Sequence, residues 1–360
     1  MTSTPVVVIH RSQPEPEGRQ FINGYMLLVF VAILFGTLNV SLRGVYASTH
    51  PPSASALSTV RGWLAVLCFL PLLRRKTSSS TSISHTSDSD ENGNNNMTIK
   101  RISNPSSDKS MMYRTKDLVL VAFELAVWDA GAQGLENIAL VYISSARVAC
   151  LSQLAVVFTP ILSLTAGVRP QTSVWWACVL ALLGLFLMSS THQANDDDTG
   201  SKIKTFSSFS WIITLGLGDF LCLAGALSWS TYLIRLSKVG DMFPEVHLQC
   251  LKTFFQASLY SAWCFIAFWT SGRSQWKGWG NGFVAWALLL YSAAGPGTLA
   301  VVLQQRAQAT VSATVASVVL SMEPVFTTLF GRLLLGERTN WMEKLGGGCI
   351  VVAATVATRE

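Results

Sequence analysis

Residues 310–338 constrain this chain more than any other stretch. They form an almost unbroken run of Ala, Val, Leu, Met, Phe, Ser and Thr, interrupted at Glu323-Pro324 and closing on Gly336-Glu337-Arg338. About 20 such residues let a helix cross a ~30 Å hydrocarbon layer. Inside that layer a carboxylate costs roughly 3 kcal/mol on insertion scales, so Glu323 is expected to face protein or water, not lipid. Pro324 removes a backbone donor that neighbouring helices or cavity water must replace. Such a helix needs partners, and the chain has to supply them.

Nine further segments of comparable length and apolarity do so, at 24–45, 54–73, 117–133, 147–167, 172–190, 211–234, 246–270, 282–303 and 341–358, with the first stretch spanning 312–335. The third carries acids and the last has a short apolar core. Only 13% of the 360 residues are charged, half are hydrophobic, and mean hydropathy is +0.40. Soluble domains carry about 25% charge, so the class indicated is an all-α integral membrane protein.

The net charge of +6 comes from basic residues clustered in loops, with no aromatic-interleaved basic patch, which excludes nucleic acid as the expected partner. All seven cysteines lie singly in apolar segments without zinc-ligand spacing, so they are expected as small buried apolar residues, with no metal site. Neither a cleaved signal peptide nor a transit peptide is supported by the first twenty residues, which include Glu15 and Glu17. No Gly-rich nucleotide loop is present, so no cofactor or ATP-driven cycle is expected. Residues 1–23 read as an N-terminal tail, 77–116 as a Ser/Asn/Asp-rich disordered linker, and 191–210 as a polar connection. With the N-terminus inside, the inner loops and tails carry three times the Lys and Arg of the outer loops, which favours both termini in the cytosol or its equivalent. Which membrane holds the chain is left open.

An internal repeat organises these segments. Ser145-Ala146-Arg147-Val148-Ala149 matches Ser312-Ala313-Thr314-Val315-Ala316, and Glu136-Asn137 lies opposite Gln304-Gln305, at offsets of 167–168. Earlier in each half Arg61 faces Lys252 and Arg43 faces Arg235, at 191–192. The long linker, present in the first half alone, accounts for the difference. Each unit (24–190 and 211–358) then has five spans, and an odd number inverts the second copy. The expected fold is ten transmembrane helices as two inverted five-helix repeats, the architecture of secondary transporters with a site at the repeat interface.

The run Thr314-Val315-Ala316-Ser317 through Met322-Glu323-Pro324-Val325-Phe326 to Leu335-Gly336-Glu337-Arg338, followed by Gly346, resembles the closing motif of the drug/metabolite transporter superfamily, EamA type. Phe35-Gly36, Asn39, Arg61, Ala139-Leu140, Ser144-Ser145-Ala146 and Trp229-Ser230 are similar to other parts of its pattern. Gly167-Val168-Arg169 departs from the Gly-Glu-Arg step, and Pro160 is displaced relative to Pro324, so the fourth helix is expected to differ in shape. The resemblance implies a non-enzymatic exporter or exchanger of small organic solutes.

Candidate site residues follow from polarity inside the spans. Asp129, Gln133 and Glu136 share one face of the third helix, the first two being candidates for cavity lining and Asp129 also for proton coupling. Gly295-Pro296-Gly297 should break or bend the eighth, with Gln304 and Gln305 following. Arg61 and Lys252 are intramembrane cations suited to an anionic substrate or to pairing with Asp129, Asp219 or Glu323. Asn39, Trp229, Tyr232 and Glu323 complete the candidate substrate set. The partners expected are a small solute and the lipid bilayer, with homodimerisation left open. Two rivals compete: an intramembrane aspartyl protease using Asp129 and the Asp219 of Gly216-Leu217-Gly218-Asp219, and a non-transporting receptor or scaffold.

Overall fold

The computed structural model describes residues 18–46, 52–79, 105–139, 142–143, 148, 151–195, 216–271, 282–335 and 340–357. Among them every regular element is helical. Apolar runs this long cannot satisfy their backbone groups in lipid except internally, and a helix does so with no neighbour.

The helices are α1 (Gly18–Tyr46), α2 (Ala54–Ser79), α3 (Pro105–Ala139), α4 (Ala155–Thr165), α5 (Thr172–Asn195) and α6 (Leu217–Val239). They continue with α7 (Glu245–Ser271), α8 (Phe283–Ala294), α9 (Val301–Gln308), α10 (Ala313–Leu320), α11 (Glu323–Leu335) and α12 (Trp341–Ala357). Among the described residues, six stretches are long and apolar enough to cross a membrane: Ile22–Tyr46, Ala54–Arg74, Thr115–Ala139, Leu217–Met242, Phe283–Gln308 and Ala313–Leu334. Ala155–Thr165 and Thr172–Met188 are shorter apolar helices.

Three expectations change. Residues 105–116, read as disordered linker, form the first turns of α3, because the helix runs on from the apolar span into the polar sequence before it. Residues 80–104 lie outside the described set, as do 211–215 at the expected start of the sixth span. The Gly295-Pro296-Gly297 step, expected to break or bend its helix, interrupts the α-helical pattern without ending the helix: Gly295–Ala300 is a π-helical turn joining α8 to α9. Pro296 has no N–H for the residue four back, and the Thr298 hydroxyl donates instead to Ala293 O (2.9 Å) and Ala65 O (3.2 Å). The third change concerns the opening stretch, which divides at Ser321-Met322 into α10 and α11. Pro324 thereby stands in the first turn of α11, where a helix needs no donor, and Glu323 sits at the helix N-terminus, whose dipole favours a negative charge. The fourth span turns at the matching place, Gln153-Leu154, before α4. Gly167 (φ +82°) caps α4, with Val168 N–H reaching back to Ser163 O (2.9 Å), a left-handed cap that glycine suits.

Helices alternate in direction. Gly24 packs on Thr310 and Val311, and Gly240 lies beside Gln305, so the start of α1, the α6–α7 turn and the end of α9 share one end, called here the near end. Gly44 against Leu288 and Gly218 against Tyr142 and Ile143 mark the far end. Packing pairs α2 with α7, α4 with α10, α5 with α12, α3 with α6 and α7, and α1 with α8 to α11. The main apolar core fills the near half, including Leu28, Leu125, Leu236, Leu248 and Val318, while two small clusters around Cys222 and Leu57 lie toward the far end.

Candidate functional site

Two turns into α2 and α7, at equivalent places, stand Arg61 and Lys252. Both reach the polar face of α3. Lys252 Nζ is 2.5 Å from Asp129 Oδ2, with the two side chains 1% and 6% exposed. Gln133 Nε2 donates to Asp129 Oδ1 (3.0 Å), while its Oε1 accepts from Arg61 Nη2 (3.2 Å) and the Tyr260 hydroxyl (3.0 Å). Gln256 Nε2 in turn donates to the Tyr260 oxygen (3.1 Å). The carboxamide thus links both cations through one acid. Asp129 lies ten residues from the end of α3, about 15 Å at 1.5 Å per residue, which is the middle of the span.

Lys252 also sits over the Tyr232 ring, 5.0 Å from its centre, and Trp229 stacks on that ring at 5.2 Å. A buried ammonium beside a carboxylate and an aromatic face is held by both. Of the three acids offered to the cations, Asp129 is the one Lys252 takes. Asp219 instead accepts from Gly216 N–H (2.8 Å) and caps α6 at the far end. Two aspartates committed in this way are not poised to share a proton over a peptide bond, so nothing in the geometry favours protease chemistry.

Glu323 has a different partner from the cations proposed for it. Asn39 Nδ2 donates to its Oε1 (2.7 Å) and reaches Thr327 Oγ1 at 3.4 Å. This contact depends on Gly36, whose missing Cβ lets α1 approach the Phe326 Cβ and Thr327 N–H of α11. Glu136 is within electrostatic reach of Glu323 and packs against Gly225. Together these acids and Asn39 extend the polar lining from mid-membrane toward the far end.

Gln305 and Gln304 separate from this group. Gln305 Oε1 accepts from Gln249 Nε2 (3.0 Å), and its Nε2 donates to Gly240 O (2.8 Å) and Phe243 O (3.3 Å), which places it at the near end. Gln304 is fully buried. The structure therefore joins Arg61, Asp129, Gln133, Lys252 and Tyr232, with Trp229 stacked beside, and groups Asn39 with Glu323. It does not bring Asp219, Gln304 or Gln305 into either set.

Sequence reasoning missed Gln249, Gln256 and Tyr260. With Lys252 they recur at intervals of three and four along α7, so the helical period marks them as one face. Also missed was the bidentate pair of Arg235 with Glu124, Nε to Oε1 at 2.6 Å and Nη2 to Oε2 at 2.5 Å, tying α6 to α3. Arg235 was noted only as a repeat partner of Arg43, and no spacing rule links it to a residue 111 positions away.

No curated protein matches this chain. A solved structure titled "Crystal structure of protein" aligns over 95% of this chain and 97% of its own, with TM-score 0.64 at 14% identity, a likeness of fold. The family model of the EamA-like transporters matches residues 216–359, the part holding Trp229, Lys252 and Glu323. Over those residues the chain is similar to the EamA-like transporter family, and it is an integral, multi-pass membrane protein.

Proposed function

We propose that the chain is a secondary transporter, exporting or exchanging small organic solutes by alternating access between two inverted five-helix repeats, residues 24–190 and 211–358. The observation that carries this is the charged network at mid-membrane. Four charged or amide side chains from α2, α3 and α7 converge there, where polar groups are costly and mark solute or ion pathways.

The repeat is supported by more than sequence. Exchanging the two units maps α2 onto α7 and α5 onto α12, and each of these pairs is in contact. The same exchange relates α3–α6 packing to that of α1 with α8. The turns at 153–154 and 321–322 fall 168 residues apart, the offset found from the motifs. The match of residues 216–359 to the model of a transporter family supports solute movement as the activity.

In this mechanism Asn39, Asp129, Gln133, Trp229, Tyr232 and Glu323 line the path, and Arg61 and Lys252 set its charge. Lys252 and Asp129 neutralise each other, which keeps the resting cost of two buried charges low. Solute binding at the repeat interface then favours rocking of one unit against the other. The test is counterflow by full-length protein in liposomes, against pooled amino acids, nucleobases, sugars, sugar phosphates and organic acids. At least one pool is expected to exchange, and Asp129→Leu to abolish it. Failure of every pool with folded protein refutes the proposal.

A further inference from the structure

The two ends of the bundle are built differently. At the near end the inner faces of α1, α3, α6, α7 and α9 close on one another, with Leu28, Leu125, Leu236, Leu248 and Ala307 fully buried. Toward the far end Asn39, Gln133, Glu136, Asn137 and Glu323 keep partial exposure. The polar residues toward the far end are therefore less enclosed than the side chains packed at the near end.

The seal is not apolar throughout. Gln305 ties α9 to the α6–α7 turn and to Gln249, as described above. Both amide atoms of Gln304 and Gln308, together with Thr253 Oγ1 and Gln249 Oε1, are buried with no hydrogen-bond partner among the described residues. Leaving such a group unpaired forfeits the hydrogen bonds it would make in water. An end closed for good would be filled with Leu and Val. Amides buried there suit an end that also opens to water, where each of them regains hydrogen bonds.

The repeat offsets supply a counterpart. An offset of 168 carries Gln305 onto Asn137, and 191 carries Gln249 onto Ser58. Asn137 and Ser58 stand toward the far end, and neither side chain is hydrogen-bonded among the described residues. We propose that Gln249, Gln305 and the Gly240–Phe243 turn form a latch that holds the near end shut, and that Asn137 with Ser58 forms the matching latch, closing the far end in the opposite state. This rests on the alternating-access mechanism proposed above.

The test follows the maleimide labelling rate of Gln308→Cys in full-length protein whose seven native cysteines are replaced. Gln305→Ala removes three hydrogen bonds and is expected to raise that rate at least about fivefold, the loss of one bond, and up to about 150-fold if all three losses add. Gln305→Asn, too short to span both partners, should shift it the same way with less disturbance of packing. Asn137→Ala should lower the rate, because it weakens the state in which the near end is open. Unchanged labelling in both Gln305 variants, eluting like the parent protein, overturns the latch, as does a rise in Asn137→Ala. The rate reports motion without any solute. A chain that shifts here but carries no solute keeps the latch and loses the transport proposal, and one that transports without shifting loses the latch.

Discussion

Lys252→Met is the most direct test of the network at the centre of the bundle. The wild-type ammonium is 1% exposed and lies 2.5 Å from an Asp129 carboxylate that is itself 6% exposed. Methionine keeps the length and the packing against Tyr232 but removes the charge. Asp129 is then left with a single side-chain donor, Gln133 Nε2 at 3.0 Å. Removing one partner of a buried ion pair costs about 3–5 kcal/mol, since the remaining charge is neither solvated nor neutralised. That is a large share of the 5–15 kcal/mol typical of a folded protein. Lys252→Met/Asp129→Leu removes both charges and should be more stable than either single variant. The assay is reversible unfolding of full-length protein in mixed micelles, read as a double-mutant cycle. A cost below about 1 kcal/mol for Lys252→Met, or a double variant losing the sum of the singles, would refute the assignment of this pair as a coupled, desolvated unit.

Other outcomes follow from single contacts. A Cβ at Gly346 would collide with the Gly184 carbonyl and come within 2.7 Å of Met188 Cγ, so Gly346→Val should abolish α5–α12 packing and with it monodisperse protein on size exclusion. Gly348→Ala, in the same helix with nothing within 4 Å, should be neutral or gain up to about 1 kcal/mol in thermal stability assays. Arg235→Lys keeps the charge but loses the forked contact with Glu124, and at 38% and 36% exposure the loss should stay under about 1 kcal/mol in a cycle with Glu124→Gln. Asn39→Ala withdraws the amide that donates to Glu323, and is expected to slow counterflow at least tenfold while folding is retained; an unchanged rate removes Asn39 from the path.

Some of the site was legible in advance because polar residues inside apolar spans are rare and obey the helical period. Asp129 and Gln133 stood out on α3 for that reason, and the 191-residue offset already set Arg61 beside Lys252 in the pattern. Partner choice was not legible. By sequence Glu323 has the two cations available, yet it bonds Asn39, because Gly36 brings α1 against α11 while α2 and α7 converge on α3. Gln304 and Gln305 looked like cavity residues, but the end of α9 turns Gln305 toward the Gly240 carbonyl.

The residue order alone determined the membrane class and most of the helical segments, since each depends on local apolarity along the chain. Tertiary structure decided three things. The opening stretch became two helices, α10 and α11, with Glu323 at a helix start. Lys252 took Asp129 and left Arg61 to Gln133. One end of the bundle closed over buried amides while the other kept its polar residues partly exposed. Each of these depends on which helices meet at a given depth, and apolar runs that all suit the same membrane do not encode that individually.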